Sequence, residues 1–293
     1  MYDLHRLRLL RELKHRGTLA AVAEALGYSP SAISHQLSLL EREVGAPLLE
    51  PVGRRVRLTD AATILVDHTE RILLELEQAE AAIALTSAEI SGHVRIATFQ
   101  SAAHTLIPTA LDLLARDRPH VKVTFRHVHA EHALPALLAR EVDLVLYEQY
   151  PGAPVAPIAN IITEHLIDDP MLIATPTGTS PVVLTKLAQA RWAMEPPGTR
   201  SRDWAVATCR AAGFEPNIAC ESIDVLLHAR LVAQAHAVAF LPALASTHAT
   251  GCTLAPSGSH RTIHLGFRRG SQTNPAICAA RTALRAVADH TVG

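Results

Sequence analysis

The sequence predicts an α/β protein in which a small helical N-terminal domain is joined by one long helix to a larger domain of strands and helices. Apolar residues recur at helical spacing through the first 45 residues, and neither proline nor glycine interrupts residues 60–88. From His93 onward, strand-like runs such as HVRIAT and VKVTFRHV alternate with helical patterns, and Asp168-Asp169-Pro170 is predicted to form an acidic turn before a further strand. This alternation is typical of βαβ units, so we expect a mainly parallel sheet with helices covering its faces.

Composition limits the class of protein. The chain has 293 residues, with 27 basic and 28 acidic side chains. The length predicts about two domains, and the balanced charge argues against a wholly basic nucleic-acid coat, so any DNA affinity would have to come from a local surface. No run of about 18 apolar residues occurs, and a charged N-terminus leads into a helix, so we expect a cytoplasmic protein without a signal peptide or membrane span. Four scattered cysteines without a CxxC pair are expected to be reduced thiols.

Three short helices are predicted before residue 45. The first runs from Leu4 to His15, with a stripe of leucines inside and its arginines mostly outside. The second covers Leu19 to Leu26 and ends at Gly27, since glycine readily takes the left-handed conformation that follows a helix. Ser29 can cap the third helix, with Pro30 at its first position, where a missing N–H costs nothing.

The spacing of Ala23, Gly27 and Ile33 is that of a helix-turn-helix. A small residue lets the helices approach, glycine makes the turn, and a β-branched residue fills the gap. If Ile33 points to the core, the opposite face is polar and suits the floor of a DNA major groove. The alternative is an ordinary helical hairpin with a solvated face. The DNA contacts expected from these two helices are Thr18, Ser29, Pro30, Ser31, Ser34, His35, Gln36 and Ser38.

A short basic hairpin is predicted next. Val52, Val56 and Leu58 are interrupted by Gly53 and two arginines, Arg54 and Arg55. Beside a helix-turn-helix, such a hairpin is a wing that places Arg54 or Arg55 over phosphates or in a minor groove. The alternative is a solvated surface turn.

A long helix is predicted from Asp60 to about Ala88, with apolar residues at coiled-coil spacing. A long helix beyond a small domain cannot bury such a stripe alone, so we expect pairing with a second copy, as a homodimer or homotetramer. Two-fold pairing would present two recognition helices to a pseudo-palindromic site on double-stranded DNA. The expected dimer contacts are Leu65, Ile72, Leu76, Ala79 and Ile83.

Four stretches resemble the LysR-type transcriptional regulators. SPSAISHQLSLLEREVGAPLLE (29–50) and GRRVRLTDA (53–61) resemble the family's serine-rich recognition helix and its wing leading into a linker helix. HARLVAQAHAVAFLPALA (228–245) and IHLGFRRG (263–270) resemble later parts of the family pattern, so the resemblance covers essentially the whole chain.

The resemblance implies a winged helix-turn-helix over 1–59, a linker helix over 60–90 and an effector domain over 91–293 that is two-lobed, like periplasmic solute-binding proteins. Lobe one would comprise about 93–161 plus 267–293 and lobe two about 162–266, with crossings near Ile161 to His165 and Thr262 to Gly266. The cleft between the lobes would hold a small-molecule effector whose identity the sequence does not give. No protein-bound cofactor and no metal site are expected.

The chain departs from the family pattern at two places. Leu49 stands where the family usually has an aromatic residue, and Glu50 and Pro51 stand where it often has a basic one, which removes a phosphate contact. Ala235-His236-Ala237 replaces a common glycine pair and places an imidazole near the cleft.

The effector site is expected at loops that follow strands. Gln100 and Ser101 begin a helix whose N-terminus attracts carboxylate or phosphate groups, although Ser101 could simply cap that helix. Tyr147 and Glu148 follow a strand at its carboxyl end, where open α/β sheets bind ligands, and Ser222 is a weaker candidate of the same kind. From lobe two the resemblance adds Thr199 and Arg200, with Arg202 as a further anion partner.

Two sensing alternatives concern particular side chains. His127, His129 and His132 have a spacing that can bind zinc, copper or nickel, although a solvated or pH-responsive cluster is the simpler interpretation. Peroxide-responsive members of the family use two cysteines around 200–209. Cys209 matches the second position, but Arg200 occupies the first, so redox sensing is not expected.

Two other function classes remain open from sequence. A cytoplasmic protein that binds or sequesters a small molecule would account for the two-lobed domain but not for residues 1–90. An enzyme would need a P-loop, GxSxG, HExxH or complete nucleotide fingerprint, and none is present. The leading prediction is a DNA-binding regulator that responds to an effector.

Overall fold

The computed structural model describes residues 1–53, 55–180 and 182–291. The chain divides into two compact units between Ile83 and Ala84. We call them the N-terminal unit and the C-terminal unit and describe each by itself. Within the described ranges, no helix is long and apolar enough to cross a membrane.

The N-terminal unit consists of three helices, a hairpin and most of a long helix. Its elements are α1 (Leu4–Arg16), α2 (Leu19–Leu26), α3 (Pro30–Val44), β1 (Leu49–Val52), β2 (Arg55–Leu58) and α4 (Asp60–Ala84). The helix-turn-helix and the antiparallel hairpin lie where the sequence predicts them, while α4 ends four residues before the predicted Ala88.

Local signals explain the boundaries of the helix-turn-helix. Gly27 follows α2 with a left-handed φ of 70°, a conformation that glycine adopts without strain. The Ser29 hydroxyl accepts a hydrogen bond from the backbone N of Ala32 (3.1 Å) and caps α3. Ile33 and Leu37 on the inner face of α3 are fully buried.

Arg11 corrects the predicted outer face of α1. Its side chain is buried, and its guanidinium donates to Glu12 and to Glu70 of α4, each at 2.7 Å. Lys14 of α1 also pairs with Asp67 of α4, at 2.9 Å. The sequence pattern of α1 alone exposes this face, but α4 covers it in the folded unit.

The C-terminal unit alternates strands and helices along the chain. Its elements are β3 (Gly92–Thr98), α5 (Gln100–Thr105), α6 (Ile107–Asp117), β4 (Val121–His127), α7 (Ala130–Leu138), β5 (Leu144–Gln149), β6 (Ile161–Pro176), β7 (Arg191–Met194), α8 (Arg200–Ala211), β8 (Asn217–Glu221), α9 (Val225–Ala233), β9 (Val238–Pro242), β10 (Cys252–Arg268) and α10 (Pro275–Thr291). A 3-10 helix, Ala243–His248, follows β9.

The eight strands form one continuous sheet in the order β4-β3-β5-β10-β6-β9-β7-β8. The outer strands pair in parallel within each half, β3 with β4 and β5, and β7 with β8 and β9. The two long central strands, β6 and β10, run antiparallel to each other and to their other neighbours. The predicted mainly parallel sheet is therefore a mixed one, because the strands that carry the chain between the halves run against the rest.

We call the half with β3, β4 and β5 the first lobe and the half with β7, β8 and β9 the second lobe. In β10, Thr262–Phe267 pair with β5 of the first lobe, and in β6, Met171–Ala174 pair with β9 of the second. The crossing of β10 therefore precedes residue 262, earlier than the expected 262–266. The expected segment 161–165 of β6 pairs with the part of β10 that joins the first lobe.

The central strands also correct one predicted turn. Asp168, Asp169 and Pro170, read from sequence as an acidic turn, lie inside β6 and pair with Thr262, Arg261 and His260 of β10. Each lobe has its own hydrophobic core beside these strands, around Phe267 in the first lobe and Trp192 in the second.

Candidate functional site

The outer face of α3 carries the short polar side chains that the sequence assigns to DNA. Ser31, Ser34, His35 and Ser38 are all exposed, on the face opposite Ile33 and the other buried residues of the helix. Hydroxyl and imidazole groups on an exposed helix can donate to and accept from base edges and phosphates.

Four other predicted contacts have a structural role in the unit. The Thr18 hydroxyl caps α2 by accepting from the backbone N of Ala21 (3.1 Å), and Ser29 caps α3 with Pro30 at the first helical position. Gln36 is half-buried, and its Oε1 accepts from Arg6 Nε at 3.0 Å. These residues fix the position of the recognition helix whether or not they also reach DNA.

The hairpin brings an acid beside a base. Glu50 Oε1 accepts from Arg57 Nε at 2.7 Å, and the two residues are direct cross-strand partners. Arg54 lies outside the described residues, as does the side chain of Arg55, whose backbone pairs with Val52. The departure at Glu50 thus neutralises one cation of the hairpin.

The C-terminal unit has a partly open cavity of about 270 Å³ between its lobes. It lies at the carboxyl ends of β3, β5 and β7 and at the first turn of α8, where open α/β sheets place their ligands. Of the residues predicted from sequence, Gln100, Ser101 and Glu148 line it, and Tyr147, Thr199, Arg200 and Ser222 do not.

Tyr147 is turned away from the cavity because neighbouring residues of a strand point to opposite faces. Its ring stacks on His264 at 5.4 Å, its hydroxyl donates to Thr163 at 3.0 Å, and it lines a separate hollow. Glu148, the next residue, is the one that reaches the cavity.

Thr199, Arg200 and Ser222 shape the loops of the second lobe. Thr199 caps α8 by accepting from the backbone N of Arg202 at 3.2 Å, and the Ser222 hydroxyl accepts from the backbone N of Asp224 at 3.0 Å. Arg200 takes part through its backbone N, which donates to Glu131 of the first lobe at 3.2 Å.

The floor of the cavity is built around Arg261, a residue that the sequence pattern did not predict to be part of the site. Its guanidinium is buried, donates to Asp169 Oδ2 at 2.9 and 2.7 Å and to Ser101 Oγ at 2.6 Å, and pairs with Glu148. It also lies over the Phe99 ring, 5.0 Å from the centroid. Glu148 and Asp169 raise the pKa of Arg261 against the effect of burial, so the guanidinium stays charged.

Ser101 therefore neither caps its helix nor presents a free helix end. The N-terminus of α5 has no side-chain cap, and the Ser101 oxygen accepts from Arg261. The one sequence signal for this arrangement was a pair of charged residues, Asp169 and Arg261, within otherwise strand-like runs.

Hydrogen bonds across the cleft join the two lobes. Gln100 of the first lobe donates to Asp224 Oδ1 at 2.8 Å and accepts from the backbone N of Val225 at 2.9 Å. Thr105 donates to the carbonyl of Leu244 at 2.8 Å. With the contact from Arg200 to Glu131, these bonds hold the cleft closed.

Glu195 and His228, which both line the cavity, have pKa values displaced from their ordinary ranges. Burial, and then the nearby charges of Glu148 and Glu131, raise the pKa of Glu195 to about 7. Burial lowers the pKa of His228, which is 3 % exposed, and its Nε2 has no hydrogen-bond partner within the described ranges. At neutral pH the imidazole is therefore neutral, and Glu195 is partly protonated.

The histidines and the cysteine considered from sequence as sensors lie in different surroundings. His127 and His129 line the cavity, and the rings of His129 and His132 lie 5.6 Å apart. In the part of the chain that the structure describes, no group of three or more His, Cys, Asp or Glu side chains is placed to hold a metal ion. Burial raises the pKa of the Cys209 thiol to about 12, which suppresses the reactive thiolate.

An exposed polar helix-turn-helix face in one unit and a cleft between two lobes in the other define a class, the DNA-binding proteins that carry a ligand-binding domain. Residues 4–63 match the family model described as bacterial regulatory helix-turn-helix protein, lysR family, and residues 87–289 match the LysR substrate binding domain. The chain belongs to the LysR family of transcriptional regulators.

Individual relatives agree with this assignment. The chain is 26% identical to the DNA-binding transcriptional dual regulator OxyR of Escherichia coli strain K12 over 298 residues, which cover 98% of this chain and 95% of OxyR. It is 26% identical to the transcriptional dual regulator GltC of Bacillus subtilis strain 168 over 245 residues, 82% of this chain and 80% of GltC. A solved full-length OxyR variant from Pseudomonas aeruginosa has the same fold, with a TM-score of 0.66 at 20% identity, and the match covers 97% and 95% of the two chains.

The chain is thus a DNA-binding transcriptional regulator with an effector-binding domain, as the sequence predicted. The alternative of a protein that only sequesters a small molecule is not supported.

We predict that Glu195→Gln stabilises the protein at pH 8 but not at pH 5. A carboxyl whose pKa rises on folding holds its proton more tightly in the native state, so it makes stability fall as pH rises from about 4.5 to 7. The uncharged amide of the Gln variant removes that pH dependence. It should raise the free energy of unfolding by on the order of 2 kcal/mol above pH 7. Melting curves of both proteins at pH 5 and pH 8 measure the difference. A gain equal at both pH values would contradict the raised pKa.

Proposed function

We propose that α3 reads the operator through Ser31, Ser34, His35 and Ser38, while the hairpin arginines Arg54 and Arg55 contact phosphates or a minor groove. The observation that carries this proposal is the exposed face of α3, on which every one of these side chains is polar and none is long. Thr18, Ser29, Pro30 and Gln36 orient the helix and can add contacts near its N-terminus. Because Glu50 forms an ion pair with Arg57, fewer cations of the hairpin are left to contact phosphates.

We propose further that α4 pairs with its counterpart in a second copy. Ile72, Leu76 and Ile83 are 43%, 38% and 70% exposed, and Ala79 is exposed between them. Leu65, by contrast, packs against the core of the N-terminal unit. It can therefore lie only at the end of the seam, the apolar stripe along which the two copies of α4 would pair. A homodimer, or a homotetramer made from dimers, would cover this stripe and present two recognition helices to a pseudo-palindromic site.

The proposed effector site is the cavity of the C-terminal unit, with Gln100, Ser101 and Glu148 contributing from the first lobe. The walls and loops of the cleft would be shaped by four further residues, Tyr147, Thr199, Arg200 and Ser222. An effector that loosens or tightens the bonds of Gln100 to Asp224 and Val225 would change the relation between the lobes. Because its target is chromosomal DNA, the protein is proposed to act in the cytoplasm.

The DNA proposal predicts different losses for two kinds of variant. Ser34→Ala and His35→Ala should weaken operator binding by about 5- to 150-fold, because one base contact contributes roughly 1–3 kcal/mol of discrimination. They should leave non-specific binding nearly unchanged. Arg55→Ala should weaken both operator binding and non-specific binding. It should also lower the slope of log affinity against log salt concentration by about one unit. Gel shifts with the region upstream of its own gene and with unrelated DNA, at several salt concentrations, measure these effects.

Thr109→Ala is the matched control, because Thr109 is an exposed polar residue of α6 in the C-terminal unit. It should bind both DNAs as the wild type does. Equal losses on operator and unrelated DNA for His35→Ala would reject the base-reading role.

The dimer proposal predicts that Ile72→Asp combined with Leu76→Asp shifts the protein toward monomer. Placing charges in a paired apolar seam leaves them unpaired and buried, which opposes association. Light scattering on the eluted protein measures the mass. An unchanged mass would place the interface elsewhere.

A further inference from the structure

The polar groups that converge on the cavity are mostly acceptors. Glu131, Glu148 and Glu195 line it, and their charges act on one another: Glu131 and Glu148 both raise the pKa of Glu195. Among the described residues that line the cavity, Arg261 is the single arginine, and there is no lysine. Its charge is already neutralised by Glu148 and Asp169. Two carboxyl groups, Glu131 and Glu195, are left without a cation of their own among the described residues.

The carboxyl groups of Glu131 and Glu195 receive bonds from neutral groups, while the charged Arg202 Nη1 donates to the backbone carbonyl of Glu195 at 2.8 Å. Glu131 accepts from the backbone N of Arg200, and Glu195 interacts with the hydroxyls of Thr199 and Ser201. These donors orient the carboxyl groups, but they add no positive charge to balance them.

His228 is a second, independent sign that a ligand is expected. The His228 ring lines the cavity and is only 3% exposed, yet its Nε2 has no hydrogen-bond partner within the described ranges. The backbone carbonyls of Ser222 and Met194 interact with the ring and favour an N–H on Nδ1, which leaves Nε2 as an acceptor. Buried acceptors without partners are rare in native proteins, so a donor from a ligand would complete this site.

Two of the donors on the lining, Gln100 and Arg261, are already used within the protein. The amide of Gln100 bonds Asp224 and Val225, and the guanidinium of Arg261 bonds Asp169, Glu148 and Ser101. An incoming carboxylate or phosphate would meet Glu131 and Glu195, and neither the Gln100 amide nor the Arg261 guanidinium would be free to bind it. The anion expected at the start of α5 from sequence is therefore disfavoured.

The remaining walls are apolar and partly aromatic. Phe99, Tyr150 and Phe240 line the cavity together with methionine and aliphatic side chains. Aromatic faces attract cations as well as apolar groups.

We infer that the cleft binds a small organic cation, a primary amine or an amidine carried on an apolar body, whose N–H groups donate to Glu131, Glu195 and His228 Nε2. This inference rests on the proposed function, because it names the chemical class of the effector at the proposed site. A metal ion is a poorer occupant, since the described side chains offer no group of three or more His, Cys, Asp or Glu placed to hold one.

The test compares cations with anions of the same skeleton on the full chain. Phenethylamine, hexylamine and benzamidine are titrated by calorimetry at pH 7.5 beside 3-phenylpropanoate, heptanoate and benzoate. At least one cation should bind at least tenfold tighter than its anionic counterpart. If every anion binds as well as its cation, or if no cation binds, the inference is overturned.

Variants locate the binding. Glu131→Gln with Glu195→Gln should lower the affinity for the bound cation at least tenfold, because both carboxylates are removed while their hydrogen-bonding shape is kept. Asp112→Asn, at an exposed carboxylate of α6, is the matched control and should bind as the wild type does. An unchanged affinity in the double variant would place the cation outside this cleft and overturn the assignment.

A gel shift on the same preparations separates failure of the ligand class from failure of the proposed function. Specific operator binding without any preference for cations would reject only the ligand class. Operator DNA bound no better than unrelated DNA would reject the proposed function as well.

Discussion

The effector-binding domain depends on the buried guanidinium of Arg261. Arg261 lies on β10, and its partners lie on β6 (Asp169), at the end of β5 (Glu148) and on α5 (Ser101). Asp169 also accepts from the backbone N of Leu244, in the 3-10 helix after β9, at 3.0 Å. One ionic cluster therefore ties both central strands to the loops that form the floor of the cleft. Such a cluster is stable only when complete, because removing one member leaves a charge buried without its partner.

The same cluster determines the chemistry left for a ligand. Because Glu148 is engaged by Arg261, the open carboxyl groups are Glu131 of the first lobe and Glu195 of the second. A ligand between them would contact both lobes and lie beside the bonds from Gln100 to Asp224 and Val225. Ligand binding and lobe closure are then coupled by proximity. Cys209, considered from sequence for redox sensing, is a buried thiol with a raised pKa, and Arg200 stands at the other position considered.

The N-terminal unit could be predicted closely because its signals are local. Helix caps such as Ser29, the turn at Gly27 and the apolar spacing around Ile33 each operate within a few residues. Arg11 was misplaced because α4, more than forty residues later in the sequence, covers it, as the bond to Glu70 with a separation of 59 residues illustrates. Spacing within one helix carries no information about such a neighbour.

In the C-terminal unit, the order of strands and helices could be predicted, but the floor of the cleft could not. The partners of Arg261 are 92, 113 and 160 residues away, so no local pattern brings them together. Neighbouring residues of a strand point to opposite faces, so only one of Tyr147 and Glu148 can reach the cavity. Which one does so depends on the pairing of β5 with β10, which the sequence does not give. Asp169 looked like part of a turn because an acidic pair before proline usually is one, whereas here the pairing with β10 keeps the strand extended.

The most direct test of this account is the stability of variants of the Arg261 cluster. Arg261→Met alone strands two buried carboxylates and should lower the free energy of unfolding by about 3–5 kcal/mol. Adding Glu148→Gln and Asp169→Asn removes those charges, so the triple variant should recover most of the loss. Urea unfolding of wild type, single and triple variants measures both values. A triple variant that is less stable than Arg261→Met alone would contradict the claim that this ionic cluster organises the domain.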